Sequence, residues 1–353
     1  MKITHIPQKD WAKLTDKELG GKREGSVLVV RYGGFGDAIQ STSIYPLLKK
    51  RGKKVSVNVN EPGLMMLKND PNIDEIIFQK EGQIPNKELG IFWARLGGLF
   101  DETITLNGVI EDNLLCLSHN PIFKAPHKER HEKLNKNYSE ALHDRANLPY
   151  IFDIKFHPTE SEKKWVAKQR RKMHLRDNHF LVVVGLSGSS VHKAYPHMDS
   201  VMADLLMRYP EVRIVLTGDG VCEILELGWE SESRVFRRSG KWTIRQTIAF
   251  AQQADLVLGP ETGVLNAVSM DDVPKVCLLS HSSKENLTKH WANTYAIEPK
   301  RTPCFPCHQL HLGGFKTCNR DEETGASMCA SNIDPHVVVD EIIKHKLELR
   351  KIA

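Results

Sequence analysis

An aspartate follows a run of glycines near the start of the chain. The segment Gly33–Asp37 reads Gly-Gly-Phe-Gly-Asp and comes directly after the β-branched run Ser26–Arg31. Glycines let backbone N–H groups approach a ligand closely, and the helix that follows offers the positive end of its dipole. A dinucleotide fingerprint would need a further glycine at Ile39, and no Lys-Ser/Thr pair follows as in a phosphate-binding loop. Asp37 is therefore either a helix cap or a general base.

Two loops in the second half combine small residues with charged ones. Ser187–Ser190 and Lys193 follow the apolar run Phe180–Gly185, and Gly259–Gly263 follows a second apolar run. Hydroxyls, backbone amides and a lysine at such a junction can bind a diphosphate, and Glu261 can accept hydrogen bonds from hydroxyls. The alternatives are an ordinary loop with a solvated lysine and a simple helix cap.

Four of the seven cysteines crowd into one segment: Cys304, Cys307, Cys318 and Cys329. A C-x2-C pair followed by two more cysteines matches four-thiolate zinc or iron sites, and such a metal would be structural. The last two cysteines do not form a second C-x2-C pair, so reduced free thiols are the alternative. His308 and His311 are candidate replacements for one thiol.

Alternating strand and helix patterns must position these residues. In the first half, apolar or alternating runs predict strands at 26–31, 54–60, 75–78 and 102–106, with a helix over 38–50 interrupted at Pro46. The second half restarts the pattern, with strands at 180–185, 213–217, 256–258 and 275–279 and helices at 198–208, 221–227, 243–254 and 336–349. This is the signature of βαβ units, and it predicts an α/β protein with two Rossmann-like domains. Ligands of such domains favour the carboxyl ends of the strands and domain interfaces.

The pattern divides the chain into five segments. They are an N-terminal arm (1–24), a first Rossmann-like domain (25–150), a linker (151–178), a second Rossmann-like domain that includes the cysteines (179–335) and a C-terminal helix (336–353).

Composition excludes several classes of protein. The 353 residues are 40% hydrophobic and 26% charged, which rules out a disordered or low-complexity chain. The longest apolar run is far shorter than the ~20 residues of a membrane span, and Met1–His5 lacks an apolar signal core. A net charge of +5, from 49 basic and 44 acidic residues, is too balanced for a nucleic-acid binder. We expect a cytoplasmic protein.

Its basic stretches Lys49–Lys54 and Lys163–Arg176 either contact the inner membrane or are solvated helix faces.

The motifs resemble those of a known family. The segment VLVVRYGGFGDAIQSTSIYPLLKK, followed by NDPNIDEIIF, resembles the N-terminal motif of glycosyltransferase family 9, the ADP-heptose:lipopolysaccharide heptosyltransferases. VVVGLSGSSVHKAYP, VRIVLTGDG and ADLVLGPETGVLNAVS resemble its later motifs in order. The resemblance covers residues 26–345 and is weakest over 80–175.

The resemblance implies a GT-B fold, in which two Rossmann-like domains face each other across a cleft. It implies inversion at the anomeric carbon without a catalytic metal. Asp37 matches the general base, and Lys193 with Ser189 and the amides of Thr262 and Gly263 matches the diphosphate contacts. Glu261 matches a residue that contacts donor hydroxyls. The residues expected to bind the donor are Gly36, Ser187, Gly188, Ser189, Asp219 (near the nucleoside), Glu261, Thr262 and Gly263.

Three functions follow from the resemblance. The first is transfer of a sugar, as ADP-heptose, to lipopolysaccharide or another surface glycan or lipid-linked acceptor. The second is transfer to a protein, because the four-cysteine segment is similar to one in a branch that glycosylates autotransporter proteins and holds iron by four cysteines. The third is a non-catalytic binder of nucleotide sugars, suggested by Glu261 and Asn266, where the family usually has Asp and often His.

Overall fold

The computed structural model describes residues 1–118, 120–311 and 314–352, with side chains as far as Lys346. The chain forms two compact units. Unit 1 comprises Met1–Ile110 and Tyr138–His157, and unit 2 comprises Glu111–Asn137 and Pro158–Ala353.

Each unit is built on a parallel sheet. In unit 1 the strand order is β1-β4-β3-β2-β5, with β1 Lys2–His5, β2 Arg23–Val30, β3 Lys54–Val59, β4 Glu75–Phe78 and β5 Phe100–Thr105. In unit 2 the order is β11-β10-β9-β6-β7-β8, with β6 Phe180–Gly185, β7 Val212–Thr217, β8 Val235–Arg237, β9 Leu256–Pro260, β10 Lys275–Leu278 and β11 Thr294–Ile297. The two parallel α/β sheets confirm the predicted fold class.

Helices connect the strands in both units. In chain order they are α1 Phe35–Gln40, α2 Tyr45–Lys50, α3 Glu61–Leu67, α4 Leu89–Gly97, α5 His127–Leu134, α6 Tyr138–Arg145, α7 Glu160–Lys172, α8 Met198–Arg208, α9 Ile244–Ala251, α10 Gly263–Ala267, α11 Met328–Ser331 and α12 Pro335–Ile352. No described helix is both long and apolar enough to cross a membrane.

Strand β2 forms the centre of unit 1. Val27–Val30 are fully buried and pair with β3 on one side and β5 on the other. A parallel strand covered on both faces reads as an unbroken apolar run, which is why the sequence predicts it. The predicted helix over 38–50 is two α-helices joined by a 3-10 turn, Ser41–Ile44. Pro46 lies in the first turn of α2, where its missing N–H costs no hydrogen bond.

Two segments lie elsewhere than the predicted segment boundaries indicate. Residues 1–24, expected to be an arm, contribute the edge strand β1, and Leu14 and Leu19 of that segment are buried in the core of unit 1. Residues 111–137, expected in the first domain, cluster with unit 2. Both segments are polar and irregular in sequence, so tertiary contacts rather than periodicity hold them in place.

The helices around the second sheet close the core of unit 2. Val201 and Leu205 of α8 and Val338 and Ile342 of α12 are buried against the strands. The C-terminal helix begins at Pro335; Ala353, included in the predicted helix, lies outside the described residues. The predicted linker 151–178 contains α7, whose residue Glu162 pairs with the buried Arg245 of α9.

Candidate active site

Asp37 caps helix α1 in unit 1. Its Oδ2 accepts a hydrogen bond of 2.8 Å from the backbone N–H of Gly34. Gly33 has φ +134°, and a Cβ at that position would lie 2.7 Å from the same oxygen. The glycines before Asp37 are therefore required for the close approach of the carboxylate to the turn, and Gly36 is half-buried within the first helical turn.

The second oxygen of Asp37 faces a buried arginine. Arg31 is fully buried, and its Nη2 lies 3.1 Å from Asp37 Oδ1. The Arg31 Nε also donates to the backbone carbonyl of Asp37, at 3.3 Å. Because the Asp37 side chain keeps 30% of its surface exposed, it combines a fixed orientation with access from solvent. That combination suits a group that accepts a proton from a bound molecule.

Lys193 lies in a 3-10 turn beyond strand β6 of unit 2. Only 8% of the residue is exposed, and its Nζ donates to the backbone carbonyl of Glu261 at 3.0 Å. A Cβ on Gly188 would lie 2.6 Å from Lys193 Cδ and 3.2 Å from the Glu261 carbonyl oxygen. The structure therefore brings Gly188, Lys193 and Glu261 together, and only glycine leaves room for the lysine side chain.

The remaining loop residues are accessible to different degrees. Ser189 is exposed and Ser187 is half-buried. Thr262 caps the five-residue helix α10 through its hydroxyl, which accepts from the N–H of Leu265, and Gly263 is the first residue of that helix. The capping role that the sequence offered for this turn is thus present.

Glu261 points into the protein. Its residue exposure is 4%. Oε1 accepts from the backbone N–H groups of Ser280 (2.7 Å), His281 (3.2 Å) and Ser282 (3.1 Å), and Oε2 lies 2.8 Å from His281 Nδ1 and 3.2 Å from Ser282 Oγ. Burial alone would raise the pKa of Glu261, but the His281 side chain, Lys193 and the Ser280 N–H hold it well below its ordinary value. The carboxylate thus anchors a loop, whereas the resemblance implies that it contacts donor hydroxyls.

Asp219 is exposed at the end of strand β7. Its carboxylate accepts from the N–H groups of Val221 and Cys222, both at 3.1 Å, and so caps the 3-10 helix Gly220–Glu226.

The four cysteines of the C-terminal segment meet in one place. Cys304, Cys307, Cys318 and Cys329 line a cavity of about 40 Å³, together with the side chains His192, Ser280, His281, Gln309, His311, Thr317 and Asn319. That volume accommodates one ion or water molecule. Burial and the neighbouring thiols raise the pKa values of Cys318 and Cys329 to about 12 and about 11.

The cavity does not hold a preformed coordination sphere. The Sγ of Cys307 contacts His311 Nε2 at 3.8 Å. Over residues 1–118, 120–311 and 314–352, no three His, Cys, Asp or Glu side chains are arranged to hold one ion. The donor set therefore matches zinc or iron in chemistry but not yet in geometry.

Sequence reasoning missed Arg31 and His281. Arg31 directly follows the buried part of β2, Ser26–Val30, and is itself buried, so its charge must find a partner. His281 follows the carboxyl end of β10, the same edge of the sheet as the other candidate residues, and that position is a usable signal.

Comparison with known proteins gives one sequence relative. None of the established family models matches the chain. Lipopolysaccharide heptosyltransferase 1 of Campylobacter coli is 23% identical over 274 residues, which span 67% of this chain and 78% of that protein.

Solved structures share the fold. The family 9 glycosyl transferase from Veillonella parvula superposes with a TM-score of 0.68 at 13% identity, covering 93% of this chain and 100% of that one. The E. coli ADP-heptose LPS heptosyltransferase II gives 0.62 at 16% identity, covering 92% and 99%. The iron-containing dodecameric glycosyltransferase TibC from enterotoxigenic E. coli gives 0.57 at 10% identity, covering 93% and 78%. These likenesses establish the two-domain GT-B fold, and the sequence relative supports the resemblance to glycosyltransferase family 9 that the motifs predict.

Proposed function

We propose that this glycosyltransferase moves a heptose from ADP-heptose to a lipopolysaccharide-type glycan, with inversion at the anomeric carbon. The observation that carries the proposal is the buried Lys193, held against the Glu261 carbonyl in a glycine-dependent loop beyond strand β6. The names of the Campylobacter relative and of the E. coli structural neighbour support the donor and the acceptor class.

Asp37 is the proposed general base. It takes the proton of the acceptor hydroxyl while that oxygen forms a bond to the anomeric carbon of the donor. The bond between the anomeric carbon and the diphosphate oxygen breaks with its electron pair, and the nucleotide diphosphate leaves. The partly exposed carboxylate, oriented by Arg31, supports this role.

Lys193 is the proposed stabiliser of the leaving diphosphate. Its ammonium, the backbone amides of Thr262 and Gly263 and the hydroxyls of Ser187 and Ser189 would interact with the negative charge that develops as the bond breaks. A cation fixed before the reaction can do this without a catalytic metal ion. Asp219 and Gly36 are proposed donor contacts, with Asp219 near the nucleoside.

The cysteine cavity supports a second acceptor and a structural metal. We propose that the four thiols hold one zinc or iron ion after small side-chain rotations. The iron-containing glycosyltransferase TibC, among the structural neighbours, supports a metal in this fold.

The same cavity is the observation that favours a protein acceptor, because the cysteine segment resembles that of the branch that glycosylates autotransporter proteins. Elemental analysis of the purified protein tests the metal: we expect about one ion per chain, and a sub-stoichiometric content of both metals contradicts it.

We propose that the enzyme acts in the cytoplasm and touches the inner membrane only at its surface. The basic last turn of α7, Arg170–Lys172, supports this, since each cation near an anionic leaflet contributes about 1 kcal/mol. Sedimentation with vesicles of 30% phosphatidylserine, at ~0.05 and ~0.5 M salt, tests it. Equal recovery with neutral vesicles contradicts it.

A donor screen tests the main proposal. The purified protein is incubated with ADP-heptose, UDP-glucose or GDP-mannose, each with a truncated lipopolysaccharide or an unmodified autotransporter domain, and nucleotide diphosphate release is measured. We expect release from ADP-heptose that depends on the lipopolysaccharide and survives EDTA. Release that depends on the protein acceptor instead favours the second acceptor. Tight binding of a nucleotide sugar without release of nucleotide diphosphate contradicts the proposed enzymatic activity. It favours a non-catalytic protein that binds nucleotide sugars.

A further inference from the structure

The imidazole of His281 closes the hydrogen-bonding shell of Glu261. His281 follows strand β10 and is 4% exposed. Its side chain reaches Glu261 Oε2 at 2.8 Å while its own backbone N–H reaches Oε1 at 3.2 Å. One residue therefore contacts both oxygens of the carboxylate. Without the ring, the Ser282 hydroxyl at 3.2 Å would be the one hydrogen-bond donor left to Oε2 among the described residues.

The proton arrangement of this pair follows from chemistry. An ionised carboxylate accepts hydrogen bonds and donates none, so the Nδ1 of His281 carries the hydrogen. Burial lowers the pKa of His281, although Glu261 opposes that effect, so the ring donates as neutral imidazole near pH 7. The geometry alone, a 2.8 Å contact between two buried groups, makes this a directional hold on the carboxylate.

Glu261 transmits that hold to Lys193. Its side chain is fixed by the 280–282 loop, and its main-chain carbonyl accepts the 3.0 Å hydrogen bond from Lys193 Nζ. A Cβ on Gly188 would approach both the lysine stem and this carbonyl, so the glycine leaves them the room they occupy. Anchoring the Glu261 side chain therefore restrains the adjoining backbone, whose carbonyl holds the ammonium.

We propose that His281 is a positioning residue of the donor site. It fixes the carboxylate of Glu261 and, through it, the ammonium of Lys193. The inference deepens the proposed function and rests on it, since it assigns His281 an effect on the step in which the diphosphate leaves. His281 itself touches no substrate in this proposal.

Two substitutions separate positioning from packing. His281→Leu removes the N–H that donates a hydrogen bond to Glu261. We expect kcat to fall about tenfold and the KM for the nucleotide sugar to change less than about twofold, because the lost interaction acts mainly in the transition state. In His281→Asn the side-chain amide nitrogen takes roughly the place of Nδ1, so we expect kcat to return to within about threefold of wild type. His5→Leu, at an exposed position of unit 1, is the matched control and leaves both constants unchanged.

A double-mutant cycle tests whether His281 acts through Glu261. If it does, His281→Leu added to Glu261→Gln slows turnover no more than about twofold beyond Glu261→Gln alone. Should His281→Leu fail to fold, Ser282→Ala, which removes the other donor to Oε2, replaces it in the cycle with the same expected non-additivity.

Three results overturn the inference. They are multiplicative effects in the cycle, a His281→Asn enzyme as slow as His281→Leu, and a raised donor KM at unchanged kcat. Failure of the proposed function looks different, because wild type would then release no nucleotide diphosphate from any donor. The inference fails only when the variants are compared with an active wild type.

Discussion

Two carboxylates, Asp37 in unit 1 and Glu261 in unit 2, each follow the end of a central parallel strand, yet their surroundings differ. Asp37 Oδ1 contacts the buried guanidinium of Arg31, and 30% of the side chain remains exposed. The side chain of Glu261 is 3% exposed, and its oxygens accept from three backbone N–H groups, an imidazole and two hydroxyls.

The difference supports the proposed roles of the two carboxylates. A carboxylate whose lone pairs are all engaged by buried donors can take up a proton only by breaking those bonds, so Glu261 is suited to hold a loop. Asp37 keeps an accessible edge and a cation that fixes its direction, so it is suited to meet a substrate hydroxyl. Carboxylates at matching places in two similar sheets therefore need not share a role, and burial is the property that distinguishes them.

The largest effect is expected for Asp37→Asn. The amide cannot accept the proton of the acceptor hydroxyl, so we expect turnover to fall about 10³-fold, within the usual range for a lost general base. The Asn oxygen can still accept from the Gly34 N–H, so the helix cap is retained. Nucleotide diphosphate release measures the effect, and thermal unfolding serves as the control. If the variant keeps more than about a tenth of wild-type turnover, Asp37 is not the general base and serves only to cap helix α1.

The sequence predicts the central elements of both units for a simple reason. A strand such as β2 or β6 is buried on both faces, so its residues are apolar without interruption and the run ends where the turn begins. Strand β1 and residues 111–137 lack such a run. Their positions depend on contacts between residues far apart in the sequence. Strand β1 pairs with β4, and in residues 111–137 Cys116 forms an isolated backbone β-bridge with Gln309.

The candidate site was predictable in its residue types but not in its directions. Glycine-rich turns after strands identify Asp37, Lys193 and Glu261 as chemically interesting. The direction of the Glu261 side chain is set by Ser280–Ser282, some 20 residues further along the chain. The partner of Asp37 is Arg31, the buried residue that directly follows strand β2. Both facts arise from tertiary packing. The expectation that Glu261 contacts hydroxyls of the nucleotide sugar does not take this packing into account.

Lys193→Gln should produce the second largest effect. The amide keeps a hydrogen bond to the Glu261 carbonyl within reach but removes the positive charge, so we expect turnover to fall about 10²-fold, as for loss of one preorganised stabilising group. Lys300→Gln, an exposed lysine of the same unit, is the matched control and should be neutral. If Lys193→Gln raises only the donor KM, the lysine binds the donor equally in ground and transition states.

Glu162 tests the structural side of the comparison. It contacts Arg245 at 2.6 and 2.8 Å, and its second oxygen also accepts from the Thr159 N–H, so no edge is left for a substrate. We expect Glu162→Gln to lower the free energy of unfolding by about 2 kcal/mol without changing kcat, less than for a fully buried pair because the side chain is partly exposed. Glu160→Gln, in a solvent-exposed pair with Lys163, should leave the free energy of unfolding unchanged within measurement error.

The same pair predicts a pH dependence. Burial alone would raise the pKa of Glu162, but hydrogen bonds from Arg245 and the Thr159 N–H lower it to about 2 from its ordinary 4.5. A lowered carboxyl pKa adds stability above about pH 4.5, and this is lost as the pH falls towards 2. Denaturant unfolding from pH 7 to pH 3 should therefore show a steeper decline for wild type than for Glu162→Gln. If the stability of wild type and Glu162→Gln declined in parallel with falling pH, the pKa of Glu162 would be the same in the folded and unfolded states.

Gly188→Ala is the smallest and most local change. The residue has an ordinary φ, so alanine strains no backbone torsion, but its Cβ would lie 2.6 Å from Lys193 Cδ and 3.2 Å from the Glu261 carbonyl oxygen. The lysine stem must therefore shift, and we expect turnover to fall about tenfold while the thermal midpoint stays near wild type, since a misplaced catalytic group costs rate rather than stability. Gly90→Ala, where a Cβ meets open space, is the matched control and should leave turnover unchanged. If Gly188→Ala is as active as wild type, the position of Lys193 is tolerant, and the contrast between a fixed Glu261 loop and an accessible Asp37 no longer explains the division of roles.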